Sequence, residues 1–151
     1  MGIGDIGGTK RLLLQLLDCA FDKRSWHGAN LMSAIRGVRA PAAAKTIAGR
    51  KSIWQQILHA AYWKHAALNK LVGTTPFPRR GSNWPKLPER LSEKAWRADI
   101  DLLRDQHATF RRAIVKLPPE KLTPRLIWLI HGVAAHDVYH AGQIKLLRRL
   151  I

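Results

Sequence analysis

Cysteine and acidic side chains are what this sequence has least of. One cysteine in 151 residues, Cys19, excludes an intramolecular disulfide framework and a multi-cysteine zinc site, and fits a reducing compartment. Ten Asp and Glu against 26 Lys and Arg leave a formal net charge of +16, which favours acidic partners over basic ones. No segment is apolar for long enough to span a membrane. The opening residues Met1-Gly2-Ile3-Gly4-Asp5 lack the basic region and apolar run of a secretory leader, and Ile6 stands where a myristoylation signal needs Ser or Thr. A cytoplasmic location with no membrane partner is expected. Strand-like alternation is also missing, so helical periodicity meets no competitor. The 46% hydrophobic content suffices for one packed core, and residues 1–151 are read as a single domain.

The positive charge is scattered through every segment. Arg97, Arg104 and Arg111 recur at seven residues and form one helical stripe, with Asp101 and Asp105 at pairing distance. No stacking aromatics interleave with that stripe and no nucleic-acid motif accompanies it, which disfavours specific nucleic-acid binding and leaves non-specific adhesion to polyanions.

Four long helices are bounded by their punctuation. The first covers about residues 9–25, with Leu12, Leu13, Leu16, Leu17, Ala20 and Phe21 as its apolar face. A short helical turn from the N-cap Asn30 to Gly37 follows, and Ala40-Pro41 with its small neighbours reads as a connection. The second long helix starts at Ser52, with Gln55 completing a capping box, and stops at Gly73. Residues 74–91 hold Pro76, Pro78, Gly81, Pro85 and Pro88, too broken for a helix and too long for a plain turn, with Trp84 as the expected anchor. The third helix starts at Ser92 and ends before Pro118-Pro119, with the seam Trp96, Ile100, Leu103, His107, Phe110, Ile114, Leu117. Thr123 caps the fourth, with Pro124 at its first position, and the helix is read to the chain end. The fold class is all-α: a four-helix bundle with a long crossover loop between its second and third helices.

The fourth helix carries two histidines where a helix should be apolar. Alternating steps of three and four give the seam Leu126, Leu129, Val133, His136, His140, Gln143, Leu147, Leu150, which places both imidazoles inward. A buried polar group without a partner costs roughly 1–3 kcal/mol, so these positions need satisfying. Residues four apart can offer ring nitrogens to one divalent metal, or the two histidines can be bonded within the core. Asp137 follows His136 where the zinc-protease pattern has glutamate, which disfavours that route to peptide hydrolysis.

A third ligand must come from another helix. His131 lies roughly 140° around the helix from His136 and faces elsewhere. His27 adjoins a turn glycine, and His65 beside Lys64 is read as a surface residue. His59 sits mid-helix in Ile57-Leu58-His59-Ala60-Ala61-Tyr62-Trp63 and is the first choice. His107, on the third helix's seam, is the competitor, as a ligand or as a bonded core histidine. Gln143 is placed to line the same cavity and orient a water or substrate, or to serve in a structural bond.

The segments Ser25-Trp26-His27-Gly28 and Ser52-Ile53-Trp54-Gln55-Gln56-Ile57-Leu58-His59, the loop residue Trp84, and the run from His131 to Ile144 together resemble the DinB-like four-helix bundles over essentially the whole chain. The single histidine on the second long helix and the pair on the fourth occur in that family's order. The resemblance implies that His59, His136 and His140 bind one divalent metal, nickel or zinc. It also implies thiol-dependent transferase or isomerase chemistry, using a low-molecular-weight thiol in place of glutathione. Gln55 departs from the glutamate many relatives carry at that capping position, and the very basic surface is no family requirement.

Three protein ligands leave a coordination position open, as in catalytic rather than structural sites. Thiol transfer and metal-assisted hydrolysis of a small-molecule substrate are the enzymatic expectations, with Gln143 and Tyr139 as the nearest polar helpers, Tyr139 being equally suited to a packing role with its hydroxyl satisfied locally. The alternatives are a basic nucleic-acid or polyanion binding module, and a non-catalytic stress protein with a structural metal. A homodimer is expected, as bundles of this size commonly pair through an apolar helix face.

Overall fold

A computed structural model describes residues 6–151; the N-terminal stretch read above against a leader or lipid signal, residues 1–5, lies outside the described residues. Six α-helices and one short 3-10 turn are present, with no strand among the described residues. They are α1 (Ile6–Phe21), α2 (Leu31–Ala34), α3 (Ala40–Ala44), α4 (Ile53–Val72), α5 (Glu93–Lys116) and α6 (Pro124–Leu147). The four long ones pack in a ring in the order α1, α6, α4, α5, while α2 lies on α6 and α3 on α4 and α5.

The caps fall where the side chains call for them. The Ser52 hydroxyl accepts from the Gln55 N–H at 3.2 Å, and the Gln55 side chain accepts from the Ser52 N–H at 2.9 Å. A glutamine therefore completes the box. Ser92 caps α5 through the Ala95 N–H at 3.1 Å, and Thr123 caps α6 through the Leu126 N–H at 3.3 Å. Three expectations are corrected. Helix α1 runs earlier than residues 9–25. The segment read as a connection contains α3, which begins just before Pro41, a residue suited to a first helical turn. And α6 ends at Leu147, leaving Leu150 54% exposed beyond it.

Two apolar clusters stack along the bundle. One is built on Trp54, Ile57, Leu58, Trp96, Leu103 and Ile144, the other on Leu13, Leu17, Phe110, Ile114, Ile130 and Val133. Each fully buried aliphatic side chain contributes roughly 1.5–3 kcal/mol. On α4, α5 and α6 the change from one cluster to the other falls at a buried polar residue: Lys64 and His65 on α4, His107 on α5, Asp137 on α6. A polar belt thus crosses the core.

That belt overturns several periodicity readings. The buried stripe of α6 is Ile130, Val133, Ala134, Asp137, His140, Ala141, Ile144 and Leu147, rotated from the expected seam, so that His136 and Gln143 are only half-buried. A seam traced through the histidines missed that Asp137 faces the axis. Leu12 and Leu16, expected in the core, are exposed because α1 meets the bundle through Leu13, Leu17, Ala20 and Phe21. His65, read as a surface residue, is buried, as is Lys64 beside it. In the arginine stripe Arg104 pairs with Asp101 at 3.0 Å, but Arg111 reaches across to α1 and binds Asp18 through two nitrogens at 2.7 and 2.8 Å.

Candidate metal centre

Helix α4 supplies His59 and α6 supplies His136 and His140, one turn apart. Their Nε2 atoms converge: His136 Nε2 lies 3.0 Å from that of His59 and 3.1 Å from that of His140. One ligand nitrogen from each residue lies within 4.8 Å of the other two, a group that could hold a metal ion.

The far side of two rings decides how this cluster is protonated. His59 Nδ1–H donates to the Asn83 carbonyl at 2.6 Å, and His140 Nδ1–H donates to the Gln56 side-chain oxygen at 2.9 Å. The Gln56 amide is held in that orientation because its nitrogen donates to the Lys51 carbonyl at 3.4 Å. With the proton on Nδ1, Nε2 of His59 and of His140 each present a lone pair. His136 Nε2, if it carries a proton, can direct it at only one of them. A neutral cluster therefore leaves at least one of these 3 Å contacts with no hydrogen between its nitrogens, whereas a cation among three deprotonated Nε2 atoms satisfies all of them. The donor set fits a borderline divalent ion such as zinc or nickel.

Burial reinforces the neutral form. It opposes the imidazolium and brings the His136 pKa down to about 4, with the neighbouring His59 and Lys64 adding repulsion. Burial, then His136 and His59, lower that of His140 to about 3. His59 is lowered by burial too, against the raising effect of its bond to Asn83. All three are neutral at pH 7, the state that ligates metal.

The loop between α4 and α5 closes over this centre. Trp84 stacks on His59 with ring centroids 3.8 Å apart and planes 11° from parallel. Asn83 holds its carbonyl on His59 while its side-chain oxygen accepts from Trp63 Nε1–H at 2.9 Å. Its φ of +59° is a left-handed conformation that asparagine tolerates better than most residues. The expected anchor, Trp84, is thus found on His59 of the cluster. Asn83 and Gln56 were missed. Gln56 left a trace, as an amide among Trp54, Ile57 and Leu58, but Asn83 left none, because only loop geometry brings it there.

The remaining histidines separate cleanly. His107, the competitor for third ligand, lies elsewhere in the core, stacked on Phe21 at 3.7 Å. Burial and then the charges of Lys64, Arg111 and Lys23 push its pKa down to about 3, and its Nδ1 has no hydrogen-bond partner among the described residues. His65 tethers the loop through the Thr75 carbonyl at 2.8 Å and meets Gln106 at 3.0 Å. His131 and His27 are exposed. Gln143 lines a cavity of about 390 Å³ together with His140, Gln56, Trp84 and the basic pair Arg50 and Lys51. Tyr139 is 61% exposed at the same cavity, its ring edge-on to His140 at 5.1 Å.

The family profile of the DinB superfamily matches residues 23–144. The chain belongs to the DinB superfamily. The matched span contains α2 to α5 and all but the last turn of α6, and so every residue of the three-histidine cluster. This DinB-superfamily bundle matches no curated protein and no solved structure in the comparisons. Among the described residues no helix is long and apolar enough to cross a membrane.

Proposed function

We propose that this DinB-superfamily chain is a metal-dependent enzyme that transfers a low-molecular-weight thiol to a small electrophilic substrate, or hydrolyses one, with His59, His136 and His140 holding one nickel or zinc ion. The observation that carries the reading is the convergence of three Nε2 atoms, two of them stripped of protons by bonds on the opposite ring nitrogen.

When bound, the ion supplies Lewis acidity and makes a thiol or water on it a nucleophile at neutral pH. The chain's own residues do the rest. Asn83 and Gln56 hold two rings in the ligating tautomer, and Trp84 shields His59 from water. Arg50 and Lys51 give the cavity beside His140 a positive wall, suited to an anionic thiol or substrate. Gln143, half-buried there, can orient the entering group, and Tyr139 can offer its hydroxyl from the rim. A reduced thiol as co-substrate also agrees with the cytoplasmic location expected from cysteine usage. The expected homodimer remains part of the proposal, and the exposed Leu12, Leu16 and Trp26 offer an apolar surface for it.

The test is metal content per chain after purification without an affinity tag or chelator, followed by thiol-transfer assays on the loaded protein. About one equivalent is expected in the natural sequence, and well under half of that in His136→Ala or His140→Ala. Full metal content in both variants would falsify the site. Thiol transfer that ignores the metal would leave the ion a structural role.

A further inference from the structure

A second opening reaches the cluster, from between α4 and α6. It is a trough of about 270 Å³ with His136 in its wall, and its other walls are carbon-rich: Trp63 and Trp128 with Ala66, Leu129 and Val133. Its volume lies just under that of sites for drug-sized molecules. Its two tryptophans are 44% and 75% exposed, so the apolar surface is open to a visitor rather than sealed in the core. Gly132 also lines it, in the interior of α6, where glycine costs about 1 kcal/mol relative to alanine. A Cβ added at Gly132 meets nothing within 4 Å, so packing does not demand the glycine, and its effect is to keep the trough wide.

One lining residue carries a permanent charge. Lys70 stands eleven residues beyond His59 on α4, which is about 16 Å along the helix axis, and Trp128 stands eight residues before His136 on α6, about 12 Å. The trough therefore runs from the histidine cluster towards an ammonium. Among the described residues Lys70 has no hydrogen-bond or ion-pair partner, unlike the buried Lys64 on the same helix.

We infer that this trough is the substrate subsite, and that its occupant is an elongated organic anion: an aliphatic or aromatic body between the tryptophans, an acidic group paired with Lys70, and the opposite end at His136. The inference rests on the metal-centre reading only for which end of the molecule reacts; binding of the body and the acid is independent of it.

The probe is a series of straight-chain carboxylates from butanoate to octanoate, titrated calorimetrically into the full chain stripped of metal, at moderate salt. Affinity is expected to climb about fourfold for each methylene that enters the trough. Gly132→Phe, which fills the trough, is expected to weaken octanoate by about tenfold or more, the scale of two lost methylenes. Should that variant not fold, Ala66→Leu narrows the same trough from α4. Lys70→Gln is expected to weaken octanoate up to about fivefold while leaving octanol unchanged. Lys145→Gln, an exposed position on α6 outside the trough, is the control for bulk charge. The inference is overturned if octanoate binds no better than butanoate, if filling the trough changes nothing, or if Lys145→Gln loses as much as Lys70→Gln. Metal uptake, measured on the same variants, is expected to match the natural sequence. Octanoate binding by a chain that takes up no metal would overturn the metal centre and leave the trough standing.

Discussion

Lys64 Nζ and Asp137 Oδ2 stand 2.5 Å apart with both side chains out of contact with solvent, one from α4 and one from the residue after His136. Burial pushes the Asp137 carboxyl up while Lys64 pulls it down, and Asp137 Oδ1 has no hydrogen-bond partner among the described residues. The pair lies at the level where the two apolar clusters meet, so it couples the pairing of α4 with α6 to the orientation of the helix that carries His136.

Breaking that pair from one side should be severe. Lys64→Met or Asp137→Leu alone leaves an uncompensated buried charge and is expected to cost about 3–5 kcal/mol. The double variant Lys64→Met with Asp137→Leu should recover most of that loss, because two charges no longer need desolvating. Urea titrations of the three proteins check this; a double variant as unstable as the worse single one would deny the coupling.

Gln56 would act on a bound metal only through the ring of His140, whose Nδ1–H donates to it. Gln56→Leu removes the acceptor that fixes the proton of His140 on Nδ1, so metal affinity is expected to fall about 10- to 100-fold with the fold intact. Competition against a chelator of known affinity reads this directly. A merely structural glutamine would instead lower the melting temperature and leave the affinity alone.

Metal retention should reach into acid. An ordinary histidine, with a pKa near 6.5, is mostly protonated at pH 5.5, where protons compete with a metal for its lone pair. His136 and His140, lowered to about 4 and about 3, are still mostly neutral there. Metal content followed against pH should hold at pH 5.5 and be lost towards pH 4. Release centred near pH 6.5 would contradict the burial of these rings.

His107 makes the fold sensitive to acid on its own account. Its folded pKa, about 3, lies below its unfolded value, so the unfolded chain binds more protons between those limits and stability falls as pH drops from about 6.5 towards 3. His107→Phe keeps a ring against Phe21 and removes the unpartnered Nδ1. It should flatten that pH dependence by up to about 1.4 kcal/mol per pH unit, in urea melts of metal-free protein at pH 6.5 and 4.5.

Helix boundaries were legible in the chain because caps are local. Ser52 with Gln55, Ser92 and Thr123 bond to backbone within three residues, so the second and third long helices and the start of the fourth could be read directly. His59, His136 and His140 were legible as candidates for a related reason: an imidazole in an apolar helical run is conspicuous wherever the helix goes. What the sequence could not contain is which face meets which. Helical periodicity has no absolute phase, so a seam drawn through the histidines put His136 on the axis and overlooked Asp137, and Leu12 and Leu16 passed for core. The choice of His59 over His107 was open to periodicity alone, since both lie on inward faces of different helices. Packing of α4 against α6 is what brings His59, and not His107, beside the pair on α6. The bonds that set the ring tautomers of His59 and His140, from Asn83 across 24 residues and from Gln56 across 84, exist only once the chain has folded. So does the trough between Trp63 and Trp128, because a cavity belongs to two surfaces at once and neither helix encodes it alone.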